Sequence, residues 1–342
     1  MTYDALDEAY DRLVSTGPEF DGWLSNHGPM AAEVLARHGH QDRLPSWLDN
    51  YCRRLETAPS SFGTINDWRE ALGDARRLGD WLTFFTAELR DRTWLEVLHS
   101  WWPRLVPGIA AGATHGVIRV GHAVRVLREE GRTDARVAEL AQALGYWAAR
   151  WQPVPSATGP AGHLRADAAV ASLPRVLHQA GGISARLAQL EHVDGWDSAQ
   201  RALAPSEDWD RFLRDVVSAA VVRYATHAHG DPVMLVHAAT APNAVRRALP
   251  SLPPDLWTSS ASAAWSASAA VHAAYAPSTP ATAAAPASLE RATSAEVFDR
   301  AAEHGDEHVI KLADTALEVH TWTGDQRALA AVVRAVQLIE PL

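Results

Sequence analysis

Among 31 basic residues only Lys311 is a lysine, and it stands in the segment Asp306-Glu307-His308-Val309-Ile310-Lys311-Leu312-Ala313-Asp314. Apolar neighbours on both sides predict burial, which disfavours an ammonium and lowers its pKa. A neutral amine is a base or a Schiff-base nucleophile, and it also takes up carbon dioxide to give a carbamate, an anionic oxygen ligand for a metal. The plain alternative is a salt bridge from Lys311 to Asp314 or Glu307. His308 precedes Lys311 by three residues, so a helix places both side chains on one face. Asp306 and Glu307 fall in the first turn of that helix, where carboxylates also complement the helix dipole.

Four further histidines sit among apolar or glycine neighbours. In Gly112-Ala113-Thr114-His115-Gly116-Val117-Ile118-Arg119-Val120-Gly121-His122 the two imidazoles are seven residues apart, on one helix face and about 10 Å apart along it. They meet at one ion only if they lean together or if a glycine bends the helix. Arg119 shares that face and suits a carboxylate, a phenolate or a reduced oxygen species, or else makes an ordinary ion pair. His27, in Ser25-Asn26-His27-Gly28-Pro29, opens a helix and reads by itself as part of a polar cap. His237, in Met234-Leu235-Val236-His237-Ala238-Ala239-Thr240, reads by itself as a hydrogen-bonded core residue. Taken together with Lys311 they make a costly set of buried titratable groups, which points to a site. The remaining histidines, His227 and His272 among them, sit near charges, loops or helix ends and are expected at the surface.

Familiar alternatives are absent from the sequence. It has no G-x-G-x-x-G after a strand, no P-loop, no G-x-S-x-G elbow, no H-E-x-x-H and no paired C-x-x-C. A net charge of −10 with scattered arginines argues against nucleic acid. Cys52 is the lone cysteine, the first ten residues are acidic, and apolar runs such as 216–222 break well before about 20 residues. A reducing, cytoplasmic home without a membrane span is the expectation.

The elements that must position these residues are helices, because apolar residues recur at three and four residue intervals almost throughout. The pattern predicts helices at 5–14, 29–38, 81–89, 94–102, 117–130, 136–151, 209–227, 232–241, 306–323 and 325–339. Gly and Pro punctuate them at 107–108, 131, 153–162, 181–182, 230–232 and 242. Residues 276–288 are almost wholly Ala, Pro, Ser and Thr and are expected to form a floppy loop. The expectation is one all-α, multi-helical domain spanning 1–342 with that loop as an insertion. Hydrophobic residues at 47% supply the core, and the tryptophans at 94, 101, 102, 147 and 151 are expected in it, with pocket walls for a flat ligand as their other use.

The succession of Asn26-His27-Gly28-Pro29, Trp68 to Asp74, Trp81 to Leu89, Trp102 to Gly108, Gly112 to Ala123, His237 to Ala244 and His308 to Lys311 resembles the questin oxidase-like family. That resemblance implies an oxidoreductase acting with O2 on aromatic polyketides, by Baeyer-Villiger-type oxidation or ring opening. It also implies that His27, His115, His237, His308 and Lys311 belong to the site. The sequence departs from the pattern that fungal relatives tend to carry, with Arg119 in place of a histidine and His122 in place of a tyrosine. Either His122 replaces the missing ligand or the metal shell is smaller. The expectation is a mono- or dioxygenase with non-haem Fe(II) held by His27, His115, His237, His122 or His308 and carbamylated Lys311. Arg119 would stabilise negative charge and NADPH would serve as any external reductant. A zinc hydrolase using the same residues and a non-catalytic ligand-binding protein are the competing readings.

Overall fold

A computed structural model describes residues 4–281 and 293–342. Residues 282–288 of the expected Ala/Pro-rich loop therefore lie outside the described residues. Among those described, the chain forms 17 α-helices and one short antiparallel ribbon, Glu19–Phe20 against Leu24–Ser25, so the all-α reading holds. No described helix is long and apolar enough to cross a membrane. The chain divides into two compact units, Met1–Pro153 with Arg247–Trp257, and Val154–Arg246 with Thr258–Leu342.

In the first unit, helix Asp134–Ala149 is the central element and packs on Leu78–Asp91, His115–Glu130 and Asp4–Val14. Gly145 allows the close approach of Leu78–Asp91, since a Cβ there would lie 2.8 Å from Leu82 Cδ2 and 3.2 Å from the backbone of Trp81 and Leu82. Of the expected group Trp101, Trp102 and Trp147 are fully buried, as is Trp81, whereas Trp94 and Trp151 are half-buried. Trp102 and Trp147 meet edge to face at 5.4 Å. The Trp81 and Trp147 indole N–H groups donate to the carbonyls of Ala71 and Gly108, both at 3.0 Å. Truncating such a side chain to alanine costs about 3–5 kcal/mol.

In the second unit, Trp209–His227, Glu307–Thr323 and Gln326–Leu338 pack together, joined by Ser294–His304. Two features depart from the sequence expectation. Helix Trp257–Tyr275 carries no apolar stripe because nearly all of its length is buried, and its alanines and serines are small enough to be enclosed on every side. The helix expected at 232–241 is instead a tight turn, Met234–Val236, followed by helix His237–Ala248 with Pro242 inside it. Proline at 242 leaves the Ala238 carbonyl without its helical donor. Ser268 Oγ donates to that carbonyl at 2.7 Å, which satisfies it and lets the helix run on.

Buried Asp80 ties residues 61–63 to the first unit. It accepts from Ser61 Oγ at 2.8 Å and from the backbone N–H of Phe62 and Gly63 at 2.7 and 2.9 Å, and it pairs with Arg77. Burial raises its pKa, but these donors outweigh burial and hold it at about 2. A depressed carboxylate stabilises the fold above its unfolded pKa and loses that contribution as pH falls through the folded value. Asp80→Asn should therefore lower unfolding stability by about 1–2 kcal/mol at neutral pH. In denaturant titrations the wild type and variant should converge between about pH 4 and about pH 2.

Candidate active site

In the first unit the sequence Ser25-Asn26-His27-Gly28-Pro29 divides the work of a helix start. Asn26 Oδ1 accepts from the Gly28 N–H at 2.9 Å, and the His27 side chain makes no capping bond. His27 is thus released from the cap role that its position suggested. Its ring is buried and stacks on His115, with centroids 4.3 Å apart and planes at 22°.

His115 begins helix His115–Glu130 immediately after three residues of left-handed backbone, Gly112 (φ 51°), Ala113 (φ 58°) and Thr114 (φ 70°). Alanine and threonine in that region each cost roughly 1–2 kcal/mol, and such strain persists where the surroundings fix it. Here the turn brings the Gly112 carbonyl onto His115 Nδ1 in a hydrogen bond. A carbonyl only accepts, so Nδ1 carries the proton and Nε2 the lone pair, the arrangement of a metal-binding imidazole.

The same helix continues with Arg119 and His122. Arg119 is 3% exposed and forms a two-armed pair with Glu139, Nε to Oε1 at 2.6 Å and Nη2 to Oε2 at 2.7 Å. The pair holds the guanidinium charged against the cost of burial. Its remaining nitrogen, Nη1, is buried without a hydrogen-bond partner among the described residues. The structure thus realises the ion pair and leaves one donor over for an anionic oxygen. His122 Nδ1 lies 2.8 Å from Glu33 Oε2, which Arg125 also engages. Burial pulls the His122 pKa down to about 4 despite Glu33, with the Arg125 charge adding to the fall. The neutral ring donates from Nδ1 to the carboxylate, which likewise leaves the lone pair on Nε2.

In the second unit His237 and His308 meet edge to face with centroids 5.6 Å apart. His237 Nδ1 lies 3.1 Å from the Met234 carbonyl, which fixes the tautomer by the same backbone device as in His115. Asp306 caps helix Glu307–Thr323 by accepting from the N–H groups of His308 and Val309 at 2.8 and 3.1 Å. Asp306, Glu307 and His308 each offer a ligand atom within 4.8 Å of the others. Lys311, one turn on, is 1% exposed, and its Nζ has no hydrogen-bond partner among the described residues. No described carboxylate forms a salt bridge with it, so the ion pair to Asp314 or Glu307 is not made. Burial brings its pKa down to about 8, opposed in part by Glu307 and Asp306.

Two histidines expected at the surface are buried. His272 lies on helix Trp257–Tyr275, bonds the Ser268 carbonyl through Nδ1 at 2.9 Å and has its pKa pulled down to about 4 by burial. His227 is buried at the end of its helix, with Nδ1 2.7 Å from Thr226 Oγ1. Both were hidden by polar or small neighbours in sequence. Glu33 and Glu139, which orient His122 and Arg119, were also missed, although a carboxylate inside the apolar run Met30-Ala31-Ala32-Glu33-Val34-Leu35 was a readable signal.

The family model described as questin oxidase-like matches residues 40–316. The chain belongs to the questin oxidase-like family. The matched stretch takes in His115, Arg119, His122, His237, His308 and Lys311, whereas His27 lies before it. No curated protein sequence matches the chain. Family membership implies an oxidoreductase.

Two residues of the left-handed turn are strained where they stand. Ala113→Gly should raise unfolding stability by about 1 kcal/mol, because glycine adopts positive φ without penalty, and turnover should be kept because the turn that aims His115 keeps its shape. Gly112→Ala should destabilise by more than that, since its Cβ would run into the Tyr146 hydroxyl. Thermal melts and steady-state rates on the two variants check the opposite signs.

Proposed function

We propose that this questin oxidase-like protein is a non-haem iron oxygenase that uses O2 on an aromatic polyketide or a related phenolic or quinone substrate. The observation that carries the reading is the pair of imidazoles, His115 and His237, each with Nδ1 on a backbone carbonyl, the tautomer that puts the ring's lone pair on Nε2. Neutral imidazole with carboxylate-like oxygen is a donor set suited to Fe(II). In the first unit the donors are His27 and His115, with His122 oriented by Glu33. In the second they are His237 and His308, with Asp306 and Glu307 beside them.

Iron would supply the activation of O2. The protein's own groups have separate tasks. Lys311, with its pKa near 8, keeps roughly a tenth of its amine neutral at pH 7, enough to react with carbon dioxide and present a carbamate oxygen as an anionic ligand. Arg119 is locked in direction by Glu139 and keeps Nη1 for a phenolate or a reduced oxygen species. Burial of both groups excludes water, which strengthens these charge interactions. Whether catalysis is mono- or dioxygenation turns on a need for an external reductant such as NADPH. The lone Cys52 fits a reducing, cytoplasmic setting.

Elemental analysis of protein purified without chelator should find stoichiometric iron in the wild type. His115→Ala, His237→Ala and Lys311→Ala should each lose most of it while keeping the helical circular dichroism of the parent. Iron undiminished in both His115→Ala and Lys311→Ala would sink the donor set, and zinc in place of iron would make the chain a metallohydrolase. Because a carbamate forms from the neutral amine, iron loading of stripped wild-type protein should rise with added bicarbonate and with pH towards 8. Lys311→Ala should show neither dependence.

A further inference from the structure

The second unit carries a half-open cavity of about 1090 Å³, at the large end of small-molecule sites, which run to about 1,000 Å³. None of the metal donors proposed above lines it. One wall is a face of helix Trp209–His227, where Phe212, Ala219 and Val222 recur at helical spacing, and another is the face of Gln326–Leu338 bearing Ala330 and Val333. Ala219, Val222, Ala330 and Val333 all keep part of their surface open. The walls are thus apolar but unfilled, which leaves room for an apolar body.

Charge along the lining is not balanced. Arg165 pairs with Asp167 at 3.6 Å and Arg327 with Asp325 at 2.6 Å. Arg211, Arg223 and Arg334 face the cavity without an ion pair among the described residues, and the one other lining carboxylate is Asp215. Arg223 is the most deeply set of the three, and its Nε is buried with no hydrogen-bond partner among the described residues. Thr226 and His227, one turn further along the helix, line the cavity as well. An unsatisfied guanidinium at the edge of an apolar hollow is a receptor for a carboxylate, because the planar fork matches two oxygens. Asp215 and the apolar walls disfavour a multiply charged phosphate.

We propose that this cavity is a binding site for an amphipathic organic anion, an aromatic or acyl body bearing one carboxylate, with Arg223 as the anchor for the charge. The site goes beyond the oxygenase reading and does not depend on metal. It would hold a carboxylated aromatic acid either as the substrate's resting place or as an effector, and in both cases the recognising chemistry is the same.

Isothermal titration of the full-length protein with anthraquinone-2-carboxylate, beside its neutral analogue 2-(hydroxymethyl)anthraquinone, tests the proposal. The wild type should bind the carboxylate at least about tenfold more tightly than the alcohol, the expected worth of one charged hydrogen-bonded anchor. Arg223→Gln should abolish the preference, and Arg223→Lys should restore part of it. Val333→Phe, which fills the hollow, should weaken both ligands alike and serves as the test should Arg223→Gln fail to fold. Binding should be unchanged in Lys311→Ala and His237→Ala, so that loss of the metal reading leaves this one standing. Equal affinity for acid and alcohol, a preference that survives Arg223→Gln, no loss in Val333→Phe, or loss of binding in Lys311→Ala would each overturn it.

Discussion

The first unit depends on a left-handed turn of three residues, Gly112 to Thr114, that aims helix His115–Glu130. Two of its residues would rather adopt another backbone conformation, so the turn exists only because the surroundings hold it. It puts a carbonyl on His115 Nδ1, and everything downstream on that helix inherits its direction. Arg119 and His122 fall four and seven residues after His115, on the same face, where Glu139 and Glu33 meet them. A relaxed turn would free the backbone strain and scatter the donors. Tension between local preference and global fit is expected where a protein spends stability on function.

Buried charge in this protein falls into two kinds. Glu139 with Arg119, and Glu33 with Arg125 and His122, are compensated groups in which removing one partner strands the other, at a typical cost of about 3–5 kcal/mol. Lys311 is of the other kind. Its amine is as deeply buried as Arg125, yet no described partner accepts from it. An apolar residue of similar size would pack there without a desolvation cost. Lys311 is the single exception in a chain that otherwise uses arginine, and the neutral amine that the proposed carbamate needs is one that a guanidinium cannot supply. Arg223 presents the same contrast more mildly, at the lining of a cavity rather than inside a core.

Histidine tautomers are set here by the backbone as much as by side chains. His115, His237 and His272 all place Nδ1 on a carbonyl three or four residues earlier. That local bond is available to any histidine near a helix start or within a helix. What differs is the company. His115 stacks on His27 and His237 meets His308, whereas His272 lies beside the arginine-lined cavity region with Arg223. The same fixed tautomer therefore sits against a second imidazole in two places and beside Arg223 in a third.

The sequence by itself determined the helical class, the tryptophan core and the identity of the residues worth watching, because those follow from periodicity and from unusual residue types. Nine of the ten expected helices stand where the apolar spacing put them. Helix Trp257–Tyr275 was not, since a helix enclosed on all sides has no stripe, and Pro242 was misread as a stop because its compensating donor, Ser268, lies 26 residues away in sequence. The partners of Arg119 and His122, the release of His27 from capping by Asn26, the burial of His227 and His272, and the cavity around Arg223 were decided only by tertiary structure. Each depends on which groups are brought within a few ångströms by helices that the sequence names but does not dock, and hydrogen bonding and desolvation act only over that range.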